Sequence, residues 1–132
     1  MSRINEAVEA VMDLINAFGT SIFSGIRRGA LGTDCGLVCE VGPSGPLEVY
    51  LDKGQYIPLD LTINGKHSNL ETLLETMNGI HENLTHMKSY PSGDGWEIVD
   101  ITTSMLPQRI GREDSGAWLV ASSLIIKIFE KG

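Results

Sequence analysis

Residues 56–71, Tyr56-Ile57-Pro58-Leu59-Asp60-Leu61-Thr62-Ile63-Asn64-Gly65-Lys66-His67-Ser68-Asn69-Leu70-Glu71, change their hydrophobic period midway, and that change decides the fold class. Up to Ile63 the apolar residues recur at every second position. Ile57, Leu59, Leu61 and Ile63 share one face and Pro58, Asp60 and Thr62 the other, as in a half-buried antiparallel strand with its apolar side covered. Pro58 has no N–H for a ladder, so the strand is expected at a sheet edge or locally unpaired there. From Ser68 onward the period is helical. Ser68 and Glu71 have the spacing of a capping box with Ser68 as N-cap. Behind them Leu70, Leu73, Leu74, Met77, Ile80, His81, Leu84 and Met87 form one stripe over about five turns.

Working outward, Asp52-Lys53-Gly54-Gln55 reads as a hairpin turn back to a strand over 47–51. Gly42-Pro43-Ser44-Gly45-Pro46 is a turn after another strand over 37–41. The first element is a helix: Ile4, Val8, Val11, Met12, Ile15 and Phe18 take one face, Asn5, Glu6, Glu9 and Asp13 the other, and Gly19 is the stop. Residues 24–36 hold Gly25, Gly29, Gly32 and Gly36 and read as a long loop, a mobile connector or an assembly arm. Downstream, Tyr90 to Gly95 ends the long helix, 96–103 is a strand, 104–116 a loop and 117–129 the last strand. The order α-β-β-β-α-β-β predicts one α+β domain over residues 1–132, an antiparallel sheet with two helices packed on one face.

Thirteen residues of extended chain span about 43 Å, slightly more than the diameter of a compact domain this size, whose radius of gyration is about 14 Å. In the last strand Trp118, Val120, Leu124, Ile126 and Ile128 face one way, and Leu119, Ala121, Ile125 and Phe129 the other. One face belongs to the core. The other calls for a second layer or another subunit, unless the strand is simply a bent central one. Ser122-Ser123 is a candidate bulge.

Charge and composition exclude several functions. Ten Lys+Arg against 17 Asp+Glu give a net charge of −7, and Arg27-Arg28 is the only basic doublet, so a tightly held nucleic acid is not expected. No apolar run approaches the ~20 residues of a membrane helix. The opening Ser2-Arg3-Ile4-Asn5-Glu6 lacks the pattern of a signal peptide. Cys35 and Cys39, four apart on extended chain, would be about 13 Å from each other, beyond disulfide reach, so the expected compartment is reducing.

Chemistry is sparse. His81 lies within the helical stripe and His86 about 140° around the axis. Neither CxxC nor HExxH occurs, so no metal is expected and His81 reads as a hydrogen-bonded histidine at the core's edge. Cys35 or Cys39 with His67 would be the only nucleophile pair, and Cys39 among apolar neighbours reads as inert packing. The glycine-rich loop has neither the P-loop ending nor GxGxxG spacing. A double-stranded-RNA-binding module shares the order α-β-β-β-α, but Glu71 and Glu75 stand where its basic residues belong. No catalytic residue and no cofactor are expected. The stretch 104–116 exposes Arg109, Arg112, Glu113 and Asp114 with no net charge, a mixture suited to a protein–protein contact.

Several segments together resemble a known group. Tyr56-Ile57-Pro58-Leu59-Asp60-Leu61, Asn64-Gly65-Lys66-His67, the long helix, Tyr90-Pro91, Trp96–Ile98, Leu106-Pro107-Gln108-Arg109-Ile110-Gly111-Arg112 and the closing Trp118…Leu124-Ile125-Ile126-Lys127-Ile128 are similar to the bacteriophage tail terminator family. These proteins are often labelled minor capsid proteins in phages and prophages of Gram-positive bacteria. The likeness runs from about Leu47 to the C-terminus, and its motifs contain no catalytic signature. It implies a non-enzymatic virion protein, assembled in the bacterial cytoplasm, that forms a ring, typically hexameric, at the head-proximal end of the tail. Its partners would be itself, the tail tube protein and the head connector protein, with DNA only passing through the lumen, where surplus acid keeps it from sticking. Arg109, Arg112, Glu113, Asp114, Trp118 and Ile125 are the expected subunit or tube interface. The alternatives are another head–tail connector or stopper protein, or a monomeric protein-binding adaptor.

Overall fold

The computed structural model describes residues 3–18, 25–29, 35–42, 48–49 and 54–131. Two helices, α1 (Arg3–Ala17) and α2 (Leu70–Thr85), accompany β1 (Ile26–Arg28), β2 (Gly36–Val41), β3 (Glu48–Val49), β4 (Gln55–His67), β5 (Ser92–Gly93), β6 (Trp96–Arg112) and β7 (Trp118–Glu130). The class is α+β, as the change of period predicts. The sheet runs β1-β2-β4-β7-β6-β5, with β3 also paired to β4. Two features correct the expected architecture: the sheet has seven strands rather than five, and it is mixed, because β1 runs parallel to β2. β1 lies inside the stretch expected to be a loop; its three residues are too few to show a period among the glycines. Residues 24, 30–34, 43–47 and 50–53 fall outside the described residues, as does Gly19, the expected stop of the first helix.

β4 is central. All 13 of its residues pair with β7, while β2 covers Leu61–Lys66 and β3 covers Gln55 and Tyr56 on its other side. Pro58 pairs with Lys127 of β7 and, among the described residues, has no ladder partner on its other side, between β3 and β2. The strand extends four residues past Ile63, since Gly65 keeps the ladder while making room for α2. A Cβ at Gly65 would lie 2.7 Å from Leu73 Cδ1 and 2.9 Å from Met77 Sδ.

Ile57, Leu59, Leu61 and Ile63 are buried, and the first three lie opposite Ile128, Ile126 and Leu124 of β7. Ala7, Val8, Val11 and Ile15 of α1 and Leu73, Met77, Ile80 and Leu84 of α2 enter the same core cluster. Both helices therefore pack on one side of the sheet. α1 touches β1 at one edge and β5 at the other, because the sheet curls around the helices as a half-barrel. Each fully buried Leu or Ile contributes roughly 1.5–3 kcal/mol, so this face dominates the stability.

The N-cap of α2 is Asn69 rather than Ser68. The Asn69 side chain accepts the Thr72 N–H at 3.0 Å, and His67 Nδ1 accepts the Asn69 N–H at 3.0 Å. Asn and Ser cap about equally well, and the His67 contact selects the later start. Glu71 remains in the first turn, where the helix dipole favours it.

The largest correction concerns 104–116. β6 continues to Arg112 and pairs with β7 along its length. Its 17 residues face 13 of β7, with the excess absorbed at four register shifts, Ile98/Asp100, Thr103/Met105, Met105/Gln108 and Arg109/Gly111. Each shift sets an extra residue against the partner strand and resets the inside–outside alternation. The bulges therefore lie on β6. Ser122 and Ser123, the expected bulge, pair in unbroken register with Ile63 and Thr62. The connection to β7 is the tight loop Asp114-Ser115-Gly116, closed by Glu113 N–H to Ala117 O at 2.8 Å. Gly116 has φ +94°, the left-handed conformation that ends a three-residue hairpin loop.

Candidate interaction site at the β6–β7 hairpin tip

Five of the six expected interface residues gather at the end of this hairpin. Arg112 and Trp118 are cross-strand partners. The Arg112 guanidinium carbon stands 4.6 Å from the Trp118 ring centroid and that of Arg109 5.6 Å away, so one indole carries two cations. Such stacking contributes about 0.5–1 kcal/mol at an exposed site. Arg112 Nε also donates to Gly116 O at 3.3 Å. The two guanidinium groups are thus held over Trp118 while both residues stay exposed.

Glu113 faces the neighbouring strand, where Lys66 Nζ lies 3.0 Å from its Oε2. The Lys66 side chain is 4 % exposed and that of Glu113 39 %, so a nearly buried ammonium is matched by a half-open carboxylate. Ser115 Oγ donates to Glu113 Oε1 at 3.4 Å. Asp114 is exposed on the turn. Ile125 lies elsewhere: it pairs with Asp60 and Thr102, on the sheet face away from the helices, and is 37 % exposed. It does not belong to the tip.

Two residues that the sequence reading passed over join the surface. Leu106 and Ile110, 61 % and 60 % exposed, are residues the β6–β7 ladder skips at its bulges, as is Val99. Their signal was the failure of a period-2 reading in a segment too apolar for a solvated loop. Along β6 the backbone is also blunted against strand addition. Pro107 lacks an N–H, Asp100 Oδ1 takes the Ile101 N–H at 3.0 Å, and the bulges interrupt the edge. Side chains, rather than the ladder, are what β6 presents.

Of the remaining titratable groups, Cys35 precedes Gly36, the ladder partner of Lys66, and so lies at the His67 end of β4. His81 is buried, its Nδ1 3.0 Å from Thr103 Oγ1 and its Nε2 without a hydrogen-bond partner among the described residues, and burial lowers its pKa to about 4. His86 Nδ1 donates to Glu82 O at 2.9 Å. Cys39 lies opposite Ile63, four residues short of His67, so those two are not brought together. Burial pushes its thiol up to about 11, against a lowering by Arg28 and a further rise from Glu40. Cys35 is exposed, and neither cysteine is in a disulfide. Among the described residues no group of three or more His, Cys, Asp or Glu is placed to hold a metal ion, and no helix is long and apolar enough to cross a membrane.

The tip therefore offers Trp and Arg, the residue types that dominate binding energy at protein interfaces, stacked together in the free chain. Compared with known proteins, the chain matches no family model and no curated protein.

Proposed function

We propose that this chain is a non-enzymatic virion structural protein of the tail-terminator type. It forms a homo-oligomeric ring that caps the tail tube at its head-proximal end and joins it to the head connector. The observation that carries the reading is the tip, with Arg109 and Arg112 stacked on Trp118 and Leu106 and Ile110 exposed on the same strand. Side chains already stacked lose less entropy on docking, so such a patch favours a protein partner. The resemblance of 56–67, 106–112 and 118–128 to the tail terminator family supplies the identity of that partner: a neighbouring subunit or the tube. The mechanism is geometric, one face matching the last tube ring and the other refusing further tube subunits.

Native mass over a wide concentration range, followed by imaging of any large species with and without tail tubes, tests this. The expected result is a closed ring with a central hole, free or seated on tube ends. A protein that stays monomeric at every concentration and never attaches to tube ends overturns the proposal in favour of an adaptor.

A further inference from the structure

The outer face of α1 carries Glu6, Glu9 and Asp13 at i, i+3 and i+7, one stripe on the side opposite buried Ala7, Val8, Val11 and Ile15. Glu9 and Asp13 are exposed, and among the described residues neither has an ion-pair partner; Arg28 reaches only Asn5, at 3.1 Å. Like charges at this spacing work against the helix that bears them, so the stripe costs the isolated subunit stability. The hairpin tip presents two exposed guanidinium groups stacked on Trp118, with Glu113 drawn to Lys66 and Asp114 exposed on the turn. On a chain with net charge −7, the cationic patch and the acidic stripe lie on different elements.

We infer that these two surfaces meet between copies: the Arg109/Arg112 tip of one subunit docks on the Glu6/Glu9/Asp13 stripe of α1 in the next. The inference rests on the ring reading above and gives it a seam. A contact between unlike patches is heterologous, and repeated by a closing rotation it makes a ring. The arginines are well suited to the role. Each guanidinium can take a carboxylate in a two-pronged hydrogen bond while its flat face stays on the indole. The occupant is a second copy of this chain because the chain itself carries both halves of the charge match.

Charge reversal with compensation tests the seam. R109E/R112E and E9R/D13R are each compared with wild type by native mass and sedimentation, with circular dichroism and thermal unfolding confirming that every variant is folded. Each reversal is expected to weaken self-association about tenfold or more, as is high salt. An equimolar mixture of the two variants is expected to reassociate, since each then offers the patch the other now complements. Oligomers that survive either reversal overturn the seam and leave the ring reading in place. Reversed variants that fail to reassociate on mixing overturn the seam, and so does a wild type that never self-associates; only failure to bind tube ends as well removes the ring reading with it.

Discussion

Lys66 and Glu113, 47 positions apart in sequence, form an ion pair of 3.0 Å that ties the turn of the β6–β7 hairpin to the end of β4. Lys66 is nearly buried on the strand that α2 follows, and Glu113 is the residue at which the hairpin turns. The pair therefore holds the tip, and with it Arg112 and Trp118, against the rest of the sheet.

Removing one partner leaves a charge with little access to water. Glu113→Gln is expected to destabilise the protein by about 1–3 kcal/mol, less than the loss of a fully buried pair because Glu113 is half open. Lys66→Met combined with Glu113→Gln is expected to recover part of that loss, as a nearly buried ammonium is replaced by an apolar side chain. Urea unfolding of the wild type, the single variant and the double variant measures both. A double variant no more stable than E113Q would show that the pair contributes by packing rather than by charge.

His81 makes stability depend on pH in a defined direction. Its native pKa, about 4, lies below the unfolded value near 6.5 because burial disfavours the imidazolium. Between those values the unfolded chain binds more protons than the native one, so stability rises with pH across the window. Above about pH 6.5 the effect is absent; it grows as pH falls and is complete below about pH 4. The shift corresponds to about 3 kcal/mol. The stability of wild type relative to His81→Gln is expected to fall by about that amount between pH 7.5 and 4. Parallel pH profiles for the two proteins would contradict it.

Gly65 is where β4 leaves room for side chains of α2. The Cβ of Gly65→Ala would press on Leu73 and Met77, and Leu37 Cδ2 lies a further contact away at 3.1 Å. These side chains are buried, so they yield only by disturbing the core. The expected cost is about 1–3 kcal/mol. Gly65→Ala in a Met77→Ala background is expected to cost less, because the space that Met77 Sδ occupied is free. Thermal or urea unfolding of the four proteins decides it; equal costs in both backgrounds would show that Met77 is not what resists the added methyl.

The residues themselves determined the elements with an undisturbed period. In β4 and α2 the apolar positions recur every two residues and then at helical spacing, and burial of one face enforces both patterns locally. The acidic stripe of α1 and the α+β class were legible for the same reason, whereas α2 stops at Thr85, short of the expected turn over 90–95, in which Ser92 and Gly93 form β5. Among site residues, Arg109, Arg112, Glu113 and Asp114 were readable as an exposed cluster of mixed charge, but their setting was not. β6 is held against β7 by pairing while its own alternation is broken four times, so no local pattern reveals that the strand continues past Thr103. The Ser68/Glu71 spacing misplaced the cap by one residue because His67 decides the start through a contact of its own. The parallel pairing of β1, the stacking of two arginines on Trp118 and the link from Lys66 to Glu113 exist only in the folded chain. Each depends on which distant strands the curled sheet makes neighbours, and side-chain periodicity carries no information about that choice.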